Sequence, residues 1–307
     1  MSRTIRAPRP TLPPQTLSFQ PFLSTCYARS VRLVPQNSSC FNTRFAVELD
    51  DGAVVEAVVY RQQTLCVSSQ VGCAVGCPFC ASGSRGWLRN LTLDEMVAQV
   101  EQARSFEPSL RRVTISGVGE PLHNATTVEA FLHWCRKQRL APSLTTSGGN
   151  ADKLRHFIEL PHNGLTVSVH AGSELVRRKL VPHGPALASV LDTVESCFPK
   201  LSRSRRRRLS LAYLLLEGWN DAPDETRAFA ERAQSIGASV YLYRLNPVPG
   251  SAFQPAREER YQQIVTAWRS AGLEVRRSSL ARTEDNGGCG TLVAGRRAPP
   301  QSCTSRA

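Results

Sequence analysis

The sequence predicts an α/β fold, an incomplete parallel (β/α)6 barrel with a short N-terminal β-hairpin extension. Strand-like and helix-like segments alternate six times between residues 64 and 270, and an apolar hairpin pattern precedes them. Repeated β-then-α order with right-handed crossovers places such strands in one parallel sheet wrapped by helices. The run Cys73-Ala74-Val75-Gly76-Cys77-Pro78-Phe79-Cys80 follows the first strand of the series, and barrel chemistry belongs at strand C-terminal ends.

Residues 1–44 are rich in Pro, Ser and Arg with little periodicity, and read as a poorly specified extension. In 45–63, Phe45 to Leu49 and Ala53 to Val59 flank Asp50-Asp51-Gly52, a hairpin with a D-G turn. The core is expected over 64–278. Its strands are Thr64 to Ser69, Val113 to Ser116, Ser143 to Thr146, Leu165 to Val169, Leu209 to Leu216 and Val240 to Leu245. The first helix runs from Leu93 to Phe106, with Thr92 and Glu95 as a capping box and Met96, Val97 and Val100 on one face. Thr126 and Glu129 announce the second, through Val128, Phe131, Leu132 and Cys135. Helices near Lys153 to Leu160, Leu187 to Phe198, Asp224 to Ile236 and Arg257 to Ser270 complete the series, the fifth stopping at Gly237. The last buries Tyr261, Ile264, Val265 and Trp268. Residues 279–307, with Asn286-Gly287-Gly288-Cys289-Gly290, read as a Gly- and Arg-rich loop or tail.

A chain of 307 residues, 41% hydrophobic, can bury one large core. The N-terminus lacks the apolar stretch of a signal peptide, and no run approaches membrane-spanning length, so the expected compartment is the cytoplasm. There thiols stay reduced, and clustered cysteines mean metal or catalysis. Thirty-eight Lys and Arg against 25 Asp and Glu give a net charge of +13. The cations cluster as Arg203 with Arg205 to Arg208, as Arg177-Arg178-Lys179, and as Arg276-Arg277. Such surplus favours a polyanionic partner through counterion release.

The C-x3-C-x2-C spacing of Cys73, Cys77 and Cys80 can gather three thiolates around one metal centre. An iron-sulfur cube held by three cysteines keeps one iron open to a ligand that is not protein. Zinc is the competing reading, but it normally takes four protein ligands, and no fourth Cys or His adjoins this run.

These residues carry a family resemblance. Cys66-Val67-Ser68-Ser69-Gln70-Val71-Gly72-Cys73 with Cys77, Cys80 and Arg89-Asn90-Leu91-Thr92 resembles the radical S-adenosylmethionine (SAM) enzymes that methylate adenine in RNA, the RlmN and Cfr group. Gly117-Val118-Gly119-Glu120-Pro121, Val167-Ser168-Val169-His170-Ala171 and Asn246-Pro247-Val248-Pro249-Gly250 resemble later family motifs in order. The likeness covers roughly Val47 to Gly250, with a weaker match around Cys289.

The resemblance implies a radical SAM barrel with a 4Fe-4S cluster on Cys73, Cys77 and Cys80, whose open iron holds SAM. Gly119, Glu120, Thr145, Ser168, Val169, His170 and Asn246 are then expected to bind SAM. It implies that Cys289 is methylated by one SAM, that a radical from a second SAM activates the S-methyl group, and that the carbon adds to C2 or C8 of adenine in rRNA or tRNA. Cys66 then forms a disulfide with Cys289 to release the base, and Glu56 takes the ring proton. A reductant such as flavodoxin or ferredoxin supplies electrons. The family carries a helical N-terminal accessory domain that grips RNA, for which there is little room before Phe45, so RNA recognition is expected to rest on the arginine blocks. The approach to Cys289, Thr283-Glu284-Asp285-Asn286-Gly287-Gly288, is one residue shorter than the family's.

Two rival functions remain open on the residues. One is a radical SAM enzyme of the same fold acting on a peptide or metabolite, which has no need of the Cys66 and Cys289 pair. The other is a non-enzymatic cysteine-metal RNA-binding module.

Overall fold

A computed structural model describes residues 31–248, 250–284, 287 and 290–296. The chain starts with an antiparallel meander of β1 (Val31–Ser38), β2 (Asn42–Leu49) and β3 (Ala53–Tyr60). The expected hairpin is the β2–β3 pair, and the Asp51 carboxylate shapes its turn by accepting from Ala53 N at 3.0 Å. β1 was not foreseen. Val31 and Leu33 do alternate inward, but Pro35 interrupts the pattern, which an edge strand tolerates. Gln102 secures it, accepting from Leu33 N at 2.9 Å.

β4 (Thr64–Val67) pairs antiparallel with β3 and begins the parallel series. A side hairpin, β5 (Gln70–Gly72) and β6 (Trp87–Asn90), brackets the three cysteines. Then follow α1 (Leu93–Phe106), β7 (Arg112–Ile115), α2 (Ala125–Lys137), β8 (Ala141–Thr146), α3 (Ala151–Glu159), β9 (Gly164–Ser168), α4 (Glu174–Leu180), α5 (Leu187–Cys197) and α6 (Arg203–Arg206). β10 (Leu209–Leu215), α7 (Pro223–Ile236), β11 (Ser239–Arg244), α8 (Glu258–Ser270), β12 (Val275–Arg277), α9 (Leu280–Thr283) and β13 (Gly295–Arg296) complete the chain. The sheet runs β1-β2-β3-β4-β7-β8-β9-β10-β11-β12, parallel from β4 onward, and β13 returns to pair with β3. This is the expected partial barrel.

Local sequence explains the elements. β10 is apolar and buried along nearly its whole length, as a strand covered on both faces must be. The Thr92 and Glu95 capping box forms, with Thr92 Oγ1 accepting from Glu95 N at 3.2 Å and Glu95 Oε2 from Thr92 N at 2.8 Å. α2 corrects the reading of Thr126 as its cap. The helix begins at Ala125 after a 3-10 turn over Pro121–Asn124, and Glu129 instead pairs with His156 at 2.9 Å. α4 was missed because a charged Arg-Arg-Lys run occupies its centre, although Ser173 caps it by accepting from Val176 N.

Candidate active site

Loops leaving the C-terminal ends of β4, β7, β8, β9 and β11 converge on one cavity that opens to solvent. Cys73, Cys77 and Cys80 line it together with Gly119, Glu120, Thr145, Ser168, His170 and Asn246. The cysteine loop is held by its own spacer residues. Val75 and Phe79 turn into a small core with Leu180, Val181, Leu216, Leu245 and Phe253, which leaves the intervening sulfurs toward the cavity. Gly72, at φ +79°, permits the entry, since a Cβ there would lie 2.0 Å from Gly86 O. The Cys73 amide then donates to that same carbonyl at 3.0 Å.

The thiols are tuned by burial. Burial pushes Cys73 up to about 12, with negative charge at Glu120 and Cys80 adding to the effect. Cys77 is likewise held high, by burial first and then by the neighbouring sulfurs, with Arg177 opposing. Cys73 and Cys77 therefore ionise readily only with a cation beside them, which fits thiolate ligation coupled to proton release. Among the described residues no three His, Cys, Asp or Glu side chains gather tightly enough to hold a single metal ion. The corners of an iron-sulfur cube are spread more widely.

Around the sulfurs the polar groups are fixed in advance. Glu120 caps its own turn by accepting from Leu122 N at 3.0 Å, and its other oxygen accepts from Ser147 N and Oγ at 2.7 and 2.8 Å. Thr146 Oγ1 donates to the first oxygen, the one that accepts from Leu122 N. Gly119 brings its backbone against Gln70, where a Cβ would clash at 2.7 Å. His170 is kept neutral, since burial and then Arg177 lower its pKa to about 3. Its Nδ1 accepts from Leu214 N at 3.0 Å, so the ring proton resides on Nε2. Asn246 Nδ2 donates to Arg282 O at 2.7 Å and ties the β11 loop to the tail.

Arg177 is the site residue that sequence reasoning missed. It is buried, and its guanidinium donates to Ser168 O, Val169 O and Ser147 O at 2.6 to 2.8 Å, clamping the β8 and β9 ends. Burial lowers its pKa to about 10. Within an Arg-Arg-Lys run it resembles a surface residue, and only Ser173, a helix cap three positions before Val176, hinted at ordered structure. Ser147 was missed too, although it extends the small polar run Thr145-Thr146 at a strand end.

The remaining expected residues divide. Val169 does not line the cavity; its side chain lies in the core and its carbonyl serves Arg177. Cys66 is buried in β4, and its Sγ lies 3.3 Å from Oγ of Ser116, a cavity residue. Glu56 in β3 is also buried off the cavity lining, its carboxylate accepting from Arg44 Nε at 3.0 Å, Arg44 Nη2 at 2.6 Å and Val293 N at 2.6 Å. Cys289 lies outside the described residues. Its neighbour Gly290 lines the cavity and accepts from Ala81 N at 2.8 Å, next to Cys80. Beyond it, Thr291 O accepts from Arg44 Nη2 at 2.9 Å and Leu292 O from Ser82 Oγ at 2.7 Å.

The arginine blocks divide between bonded and exposed side chains. Arg205, Arg206 and Arg208 precede β10, at the N-terminal end of the strands and away from the cavity. They are spent on carbonyls: Arg205 on Ile158 and Leu160, Arg206 on Phe198 and Pro199, Arg208 on His162. Arg276 pairs with Glu274 at 2.7 Å and lies over the Tyr241 ring. Of the Arg177-Arg178-Lys179 block, only Arg178 and Lys179 are exposed.

Comparison with known proteins agrees with this geometry. The Radical SAM superfamily pattern matches residues 67–230. A "Probable RNA methyltransferase" of Stutzerimonas stutzeri is 34% identical over 277 residues, covering 84% of this chain and 78% of that protein. A "Dual-specificity RNA methyltransferase RlmN" of Solidesulfovibrio magneticus is 33% identical, covering 82% and 75%. A crystal structure of a radical SAM methyltransferase from Sphaerobacter thermophilus superposes with a TM-score of 0.75 at 28% identity, covering 86% of this chain and 81% of that one. With a three-cysteine loop at the mouth of a partial barrel and relatives of this likeness along most of its length, the chain belongs to the radical SAM superfamily, among the RlmN-type RNA methyltransferases that use a 4Fe-4S cluster and SAM.

Proposed function

We propose that the protein methylates a ring carbon of adenine, C2 or C8, in rRNA or tRNA through an S-methylcysteine at Cys289. The supporting observation is Gly290 at the cavity wall, bonded to the backbone beside Cys80. That contact brings the chain on one side of Cys289 to the cysteine loop.

In this reading Cys73, Cys77 and Cys80 hold the cluster, and Gly119, Glu120, Thr145, Ser168, His170 and Asn246 line the SAM site, with Val169 contributing through its backbone. The bound cluster and SAM supply a methyl group and a 5′-deoxyadenosyl radical. Neutral His170 offers a donor without adding charge beside the thiolates, and Arg177 keeps the strand ends that carry Ser147 and Ser168 in place. Cys289 carries the methyl group as a thioether. Cys66 attacks the Cys289 sulfur as thiolate, forming the S–S bond while the sulfur-to-carbon bond breaks, and the carbon keeps that electron pair and takes up a proton to become the methyl group on the base. Glu56, whose Oε1 accepts from Arg44 Nε alone among the described residues, takes the ring-carbon proton.

A cytoplasmic location and a flavodoxin or ferredoxin as electron donor follow from the same chemistry. Among the described residues no helix is long and apolar enough to cross a membrane. Mass spectrometry of cellular rRNA and tRNA with and without the gene tests the reading. The expected result is loss of one methyladenosine signal, restored by the wild-type gene and not by Cys289→Ala. Unchanged RNA, or full restoration by Cys289→Ala, contradicts it.

A further inference from the structure

We propose that the exposed segment 84–88, a turn running into β6, grips single-stranded RNA at the cavity mouth, with Trp87 as a base-stacking platform and Arg85 as a phosphate contact. The inference rests on the RNA substrate reading and adds the surface that holds it. Ser84, Arg85, Gly86, Trp87 and Leu88 are all exposed, and Trp87 and Leu88 are 50% and 49% accessible despite their size. An indole half exposed to water on this hairpin is surface open to a partner.

The turn is wired to the reaction centre. Gly86 O accepts from Cys73 N at 3.0 Å, and Trp87 pairs with Gly72 across the β5–β6 hairpin. The tail that carries Cys289 runs beside it, where a Cβ on Gly295 would fall 2.9 Å from Arg85 Nη1, and Val293 there is 45% exposed. Arg85 has no ion pair among the described residues, whereas Arg89 on the same hairpin is committed to Asp51 and Glu95. Of the largest arginine block, Arg205, Arg206 and Arg208 are bonded to carbonyls at the opposite end of the strands. A strand whose target base enters the cavity must be held by its neighbouring nucleotides. A flat indole stacks on any base, and an uncommitted guanidinium beside it meets the backbone charge.

The test uses cluster-loaded protein and a short fluorescein-labelled oligoadenylate, with anisotropy read at several salt concentrations. Trp87→Ala is expected to weaken binding roughly tenfold and Trp87→Phe to retain most of it. Arg85→Ala is expected to weaken binding and to reduce the salt slope by about one. Should Trp87→Ala not take up its cluster, quenching of indole fluorescence by oligoadenylate in wild type, abolished in Trp87→Phe, reports the same contact. Unchanged affinity in loaded Trp87→Ala, or equal quenching in wild type and Trp87→Phe, overturns the grip. Absence of oligoadenylate binding by wild type counts against the RNA reading itself.

Discussion

Arg44 and Glu56 form a two-point ion pair between β2 and β3, Nε to Oε1 at 3.0 Å and Nη2 to Oε2 at 2.6 Å, with both side chains largely buried. Each partner also holds the tail, Arg44 through Thr291 O and Glu56 through Val293 N. The hairpin is thus a latch on the segment next to Cys289.

Removing one partner strands the other. Arg44→Ala is expected to cost about 3 kcal/mol, the scale for breaking a buried pair, and to raise hydrogen exchange at the 291–295 amides. An unchanged exchange pattern in that segment would show that the tail is held by other means.

Arg177→Leu is expected to be more damaging than any surface arginine change. It leaves three carbonyls, of Ser147, Ser168 and Val169, without their donor, at roughly 1–3 kcal/mol for each group left unsatisfied. Urea unfolding and SAM binding by calorimetry both report it. Wild-type stability with intact SAM affinity would contradict the clamp.

By contrast, the double change Arg203→Ala and Arg207→Ala at the strand N-terminal ends is expected to leave RNA affinity within about twofold, because a surface change there leaves the mouth untouched. A large loss would restore the arginine block as the RNA grip. This contrast also shows what composition conceals. Charge counts a cation wherever it lies, and only the chain path reveals that Arg205, Arg206 and Arg208 close helix and loop ends. What could be read was local. The Thr92 and Glu95 box and the apolar face of α8 follow from neighbours a few positions apart. Arg177, the Arg44 and Glu56 pair and the true start of α2 depend on partners distant in the chain or on a turn that periodicity does not encode.

Acid should weaken the fold through two buried histidines. Burial, aided by nearby arginines, lowers His162 to about 4 and His170 to about 3. The unfolded chain takes up their protons near 6.5, so each contributes stability that is present above that value and lost as pH falls through the folded pKa. His162 contributes up to about 3 kcal/mol at 1.36 kcal/mol per pKa unit. Urea midpoints measured from pH 7 down to 4 should fall, and His162→Gln should flatten part of that slope. An identical slope in the variant would remove His162 as its source.

Radical chemistry at this site requires that Cys73, Cys77 and Cys80 carry a cluster that opens SAM. Its most direct measurement is 5′-deoxyadenosine released by anaerobically reconstituted protein given SAM and dithionite, alongside its iron and sulfide content. About four irons and four sulfides per chain, nucleoside release by wild type, and none by Cys77→Ala are expected. Bound zinc without sulfide, or a loaded and reduced protein that releases no 5′-deoxyadenosine, would contradict it.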